Sequence, residues 1–94
     1  MLEYKDEASP LIADFLRFMS LQCNRSDATV NEYYLDLRIF FRFIKRDRGA
    51  VDPDMPFEEI PINDIDLEFV RNIKKTDINN YVDFLRSERS IHHA

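Results

Sequence analysis

Residues 26–46 read SDATVNEYYLDLRIFFRFIKR. A surface helix carries one apolar stripe. This stretch carries aromatic or aliphatic side chains nearly all the way round. At about 100° per residue, Tyr33, Leu37, Phe40 and Ile44 form one tight stripe, with Val30, Tyr34 and Phe41 beside it. Leu35, Ile39 and Phe43 lie roughly opposite and demand a second packing partner, inside the domain or in another one. Charge is segregated as well. Arg38, Arg42, Lys45 and Arg46 share a sector with Asn31, and Glu32, Asp36 and Asp47 occupy a different one.

The ends of this helix have their own signals. Thr29 and Glu32 make a T-x-x-E capping box, and Ser26 or Asp27 offers a cap one turn earlier. Gly49 supplies a left-handed stop after about Arg48. Upstream, Ser9 and Pro10 suit the N-cap and first position of another helix. Its apolar positions Leu11, Ile12, Phe15, Leu16, Met19 and Cys23 recur at three-to-four spacing. Downstream, the segment AVDPDMPFEEIPIND holds three prolines and reads as an extended connector, pinned by Phe57, Ile60 and Ile62. Asp66 then caps a short helix from Leu67 to about Lys74, burying Leu67, Val70 and Ile73. Thr76 caps a last helix with Ile78, Tyr81, Val82 and Leu85 on its inner face. The sum is an all-α fold: a small bundle of about four helices with a long acidic connector between helices 2 and 3.

With 94 residues, the chain is read as one domain, 1–94. One Gly and four Pro disfavour a turn-rich β fold. Cys23 has no second cysteine to pair with, and its spacing from Met19 predicts a buried thiol. No apolar run approaches the roughly 20 residues that cross a bilayer, and the acidic N-terminus has no signal-peptide core. The expectation is therefore a cytoplasmic protein without membrane contact. The net charge of −5 resolves into −7 over residues 51–70 and +2 elsewhere. A polyanion can thus meet one surface without meeting the acidic one. His92 and His93 lack a third ligand, and the connector acids lack calcium-loop spacing. No metal, cofactor or small-molecule substrate is expected.

The pattern T-x3-Y-x2-D-L-x2-F-x2-F-[LI] is filled by Thr29, Tyr33, Asp36, Leu37, Phe40, Phe43 and Ile44. With PLIADFLRFMSLQCNRSDAT before it and IDLEFVRNIKKTDINNYVDFL after it, residues 9–90 resemble the N-terminal core-binding (SAM-like) domain of the tyrosine recombinase, or phage integrase, family. The resemblance implies a fragment of a longer recombinase whose catalytic Arg, Lys, His and Tyr belong to a domain absent here. Tyr4, Tyr33, Tyr34 and Tyr81 do not sit in the nucleophile's context. It further implies a module without catalytic activity of its own, which clamps double-stranded DNA during integration or recombination. Other recombinase protomers on the DNA would be its further partners.

A clamp of that kind needs cations for phosphates and short polar groups for the groove. The candidates are Arg38, Arg42 and Lys45 on the second helix, Thr29 and Asn31 at its start, Lys74 and Lys75 before the fourth helix, and Asn79 and Asn80 in its first turns. Each has a plainer reading. The cations suit a solvated helix face, the threonines suit caps, and Lys74 and Lys75 suit the dipole of the third helix. The competing function is a small protein-interaction module that oligomerises through Leu35, Ile39 and Phe43.

Overall fold

The computed structural model describes residues 7–87, so Tyr4, His92 and His93 lie outside the described residues. Four helices follow in order: α1 (Pro10–Leu21), α2 (Asp27–Asp47), α3 (Leu67–Arg71) and α4 (Lys75–Ser87), with a 3₁₀ turn at Phe57–Glu59. Among the described residues the fold is all-α. The nearest approach to a β element is an isolated parallel bridge between Ala8 and Ile62.

The helix ends follow local chemistry. Ser9 Oγ accepts from the Ile12 amide at 3.2 Å, and Pro10 occupies the first turn. Of the possible caps for α2, Ser26 fills the role, with Oγ accepting from the Thr29 amide at 3.2 Å. At the other end, the Gly49 amide donates to the Arg46 carbonyl and the Ala50 amide to the Lys45 carbonyl. That pair of bonds is a Schellman stop, and Gly49 adopts the φ of 72° it requires. Asp66 caps α3 through the Phe69 amide at 2.9 Å. α4 begins at Lys75, one residue before the expected cap Thr76. Its first turn is closed by Asp77, whose carboxylate accepts from the Lys74 amide at 2.8 Å.

The buried core consists of Ile12 and Leu16 from α1, Val30, Tyr34, Phe41 and Ile44 from α2, and Ile60, Ile62 and Ile65 from the connector. The arc of α2 facing inward is centred on Val30, Tyr34 and Phe41. Tyr33, Leu37 and Phe40 sit half-buried at its edge. The opposite flank finds its partner inside the domain. The Phe43 ring lies 4.9 Å from Phe84 and 5.6 Å from Tyr81, both on α4, and Phe43 is 8% exposed. The connector is held more firmly than three prolines suggest, because three isoleucines are plugged into the core.

Several helix faces are turned away from their expected orientation. Leu11 and Phe15 of α1 are exposed, as are Leu67 and Val70 of α3 and Ile78 and Val82 of α4. Phe69 and Ile73 turn inward in place of Leu67 and Val70. On α4 the aromatic stack of Tyr81 and Phe84 on Phe43 fixes the rotation. Cys23 is exposed, not buried. α1 ends at Leu21, and Asn24 then takes a left-handed φ of 55°, which carries Cys23 off the helix face. α3 stops at Arg71 rather than Lys74.

Candidate nucleic-acid interface

The cationic flank of α2 lies at the edge of the core, on the side where the connector packs. Folding the connector inward brings carbonyls that have no helical partner against α2, and such carbonyls need donors. The cations supply them. Lys45 Nζ donates to the Pro61 carbonyl at 2.7 Å and to Asp64 Oδ1 at 2.6 Å, and the residue is 5% exposed. Arg42 Nε donates to the Ile60 carbonyl at 2.9 Å. Arg38 pairs with Glu7 at 2.7 Å and lies over the Tyr34 ring. This corrects the expectation of cations standing together in water apart from the acidic stretch: Lys45 and Arg42 are fastened to that stretch.

Arg46 is the outermost of the set. It is exposed, and its guanidinium rests over Phe57 at 4.9 Å and Phe84 at 5.9 Å. Arg38, Arg42 and Arg46 line an open cleft of about 460 Å³ together with Ile39, Phe57, Glu58 and Phe84. Burial, then the neighbouring Arg38, lowers the Arg42 pKa from the usual arginine value, and Glu7 and Glu58 partly offset this. An arginine in that setting is stabilised by an added anion.

A second group gathers where α4 starts. Lys74, Lys75, Asn79 and Asn80 are all exposed. The turn that presents them is tied to the end of α2. Arg48 donates to the Asn72 carbonyl and to Asp77 Oδ2, the latter at 2.8 Å, and Asn80 Nδ2 reaches Asp47 at 3.3 Å. Arg48 also lies over the Phe69 ring. The sequence reading did not single out Arg48, since its partners are more than twenty residues away.

The Arg48 bond, then the Lys74 amide, hold Asp77 below the usual carboxylate pKa. A depressed folded-state pKa gives stability that is present above the unfolded value of about 4 and is lost as pH falls through the folded one. The fastening of the α4 start is therefore expected to loosen below about pH 4. Amide exchange at residues 74–80 should accelerate there in the wild type. Asp77→Asn should show accelerated exchange already at neutral pH and little further change on acidification.

Thr29 and Asn31 do not join either group. Thr29 is engaged at the α2 cap, where its Oγ1 accepts from Ser26 Oγ at 3.0 Å. Asn31 Oδ1 is buried without a hydrogen-bond partner among the described residues. Eighteen residues of helix separate Thr29 from Asp47, about 27 Å along the axis, and Asn80 touches Asp47. The nine candidates thus fall into three places: the start of α2, its connector-braced flank, and the start of α4.

Among the described residues no cluster of His, Cys, Asp and Glu has the arrangement to hold a metal ion, and no helix is long and apolar enough to cross a membrane. Among curated proteins, the chain is 40% identical over 81 residues to tyrosine recombinase XerC of Caldanaerobacter subterraneus subsp. tengcongensis. The match covers 86% of this chain and 23% of that relative, so the chain spans about a quarter of the relative's length. No family model matches the chain, and no solved structure matches it significantly.

Proposed function

The chain belongs to the tyrosine recombinase family, and on that footing we propose that it is a DNA-binding module of a site-specific recombinase, which grips duplex without cutting it. The observation that carries the reading is the exposed polar start of α4. Lys74, Lys75 and Asn79 project there with no hydrogen bond or ion pair from their side chains to a described residue, at the N-terminal end of a thirteen-residue helix. Ammonium groups and a helix N-terminus both favour phosphate oxygens. Asn79 and Asn80 are of a type that reads an adenine edge with two hydrogen bonds.

The cleft on α2 extends this surface. Arg42 and Arg46 keep guanidinium donors for phosphate, whereas Lys45 serves the fold. Arg38 divides its charge with Glu7. No strand-cleaving role is assigned to these residues, and other protomers bound to the same DNA are their expected neighbours. The setting of such chemistry is the cytoplasm.

A duplex titration at several salt concentrations tests the reading. The logarithm of the affinity should fall linearly with the logarithm of salt, with a slope near −0.9 for each phosphate neutralised. Arg42→Glu should weaken binding of all duplex sequences alike, by roughly tenfold, and lower the slope by about one. Affinity indifferent to salt, or unchanged in that variant, contradicts the assignment.

A further inference from the structure

The arginine cleft has an acidic wall. Glu58, on the 3₁₀ turn, lines the same cleft as Arg38, Arg42 and Arg46. It is exposed, and it makes no hydrogen bond or ion pair with a described residue. The connector is held by other means: Ile60, Ile62 and Ile65 in the core, and donors from Arg42 and Lys45 on its carbonyls. Nothing in the packing calls for a carboxylate at position 58.

Its charge nevertheless acts on the cleft. Glu58 contributes to the field at Arg42, in the sense opposite to Arg38. Arg42 has one hydrogen bond to a described residue, through Nε, so its terminal amino groups remain for a ligand. The Arg46 side chain rests on two rings without a hydrogen bond to a described residue. A phosphate entering between these guanidinium groups approaches a carboxylate at the same time.

We propose that Glu58 is an affinity-setting residue, which weakens the sequence-independent attraction of phosphates to the Arg42–Arg46 cleft. The inference rests on the DNA-binding reading above and concerns how that surface is tuned. Phosphate attraction supplies nearly all non-specific affinity for DNA. A carboxylate beside the receiving cations lowers that term for every sequence equally. Contacts to base edges are not touched by it, so their share of the total rises.

The test compares Glu58→Gln with Asp54→Asn in the 94-residue chain. Both changes remove one negative charge from the connector, but Asp54 does not line the cleft. Each variant is titrated with a short duplex and with inorganic polyphosphate. Glu58→Gln is expected to bind both about fivefold more tightly at low salt. Asp54→Asn should gain less than half as much. The gain should vanish when Arg42→Gln is added and fade toward about 0.5 M salt, where charges a few ångströms apart are screened.

Equal gains in the two variants reduce the effect to net charge and overturn the proposal, as does no gain in Glu58→Gln. If polyphosphate responds as expected while no variant binds duplex, the acidic wall stands and the DNA reading fails. If duplex binds in a salt-dependent way and Glu58→Gln changes nothing, the DNA reading stands and the wall fails. If neither polyanion binds any variant, both are wrong.

Discussion

Replacing Phe43 by Asp should cost the domain about 4 kcal/mol, a large part of the 5–15 kcal/mol that holds domains of this kind together. The ring is nearly inaccessible and contacts both Tyr81 and Phe84. Its removal opens a cavity under α4 and sets a carboxylate against the Tyr81 and Phe84 rings. Urea denaturation read by circular dichroism measures this as a lower midpoint. The same change made at Ile39, which is half-exposed beside the cleft, should cost under about 1 kcal/mol. An oligomerisation role for Phe43 makes a different forecast: the variant would stay folded and sediment as a smaller species. A folded, stable Phe43→Asp chain is incompatible with the packing described here.

Lys45→Ala gives the second large effect. The ammonium donates to a carbonyl and to a carboxylate while its stem is buried, and charge-assisted bonds of this type contribute about 1.5–3 kcal/mol each. Asp64 is 66% exposed and regains water when its partner goes, so the net loss should be about 2 kcal/mol rather than the sum. Most of it is the loss of the two charge-assisted bonds together with the packing of the buried Lys45 stem. Unfolding should show the loss. Duplex binding by the folded fraction should change much less than in Arg42→Glu. A Lys45→Ala chain with wild-type stability and tenfold weaker binding would reverse the division between the two cations.

Lys45 also shows where sequence stops being informative. Several caps and stops were legible because their chemistry is local, although Thr76 and the end of α3 were not. Ser9, Asp66 and Gly49 act on groups within a few residues, and each is found in its expected role. The two-sided greasiness of α2 was legible as a demand for two partners, and α1 with the connector on one side and α4 on the other meet it. Periodicity places Lys45 beside Arg38 and Arg42 on the helix. It contains nothing about the Ile60 and Pro61 carbonyls, which arrive from another part of the chain and turn a solvated cation into a buried post.

The rotated faces have the same origin. Ile78 and Val82 satisfy the pattern of an inner face as well as Tyr81 and Phe84 do. The aromatic contact across α2 decides between them. Leu67 and Val70 yield to Phe69 and Ile73 because a five-residue helix is oriented by its anchors, Asp66 at one end and the Arg48 bond to Asn72 just past the other. Of the candidate site, residue types were readable but grouping was not. Thr29 and Asn31 matched their type, yet lie at the far end of α2 from Lys74 and Lys75.

The face that meets the duplex is the deciding feature of this domain. Titrating the isotope-labelled chain with a short duplex at low salt, while following backbone amides and arginine Nε resonances, locates it directly. The largest perturbations should fall at residues 74–80 and at the Arg42 and Arg46 side chains, leave the Lys45 ammonium unmoved, and collapse as salt is raised. Perturbations centred instead on the exposed α1 row of Leu11, Phe15 and Phe18, or none at all at low salt, would contradict it.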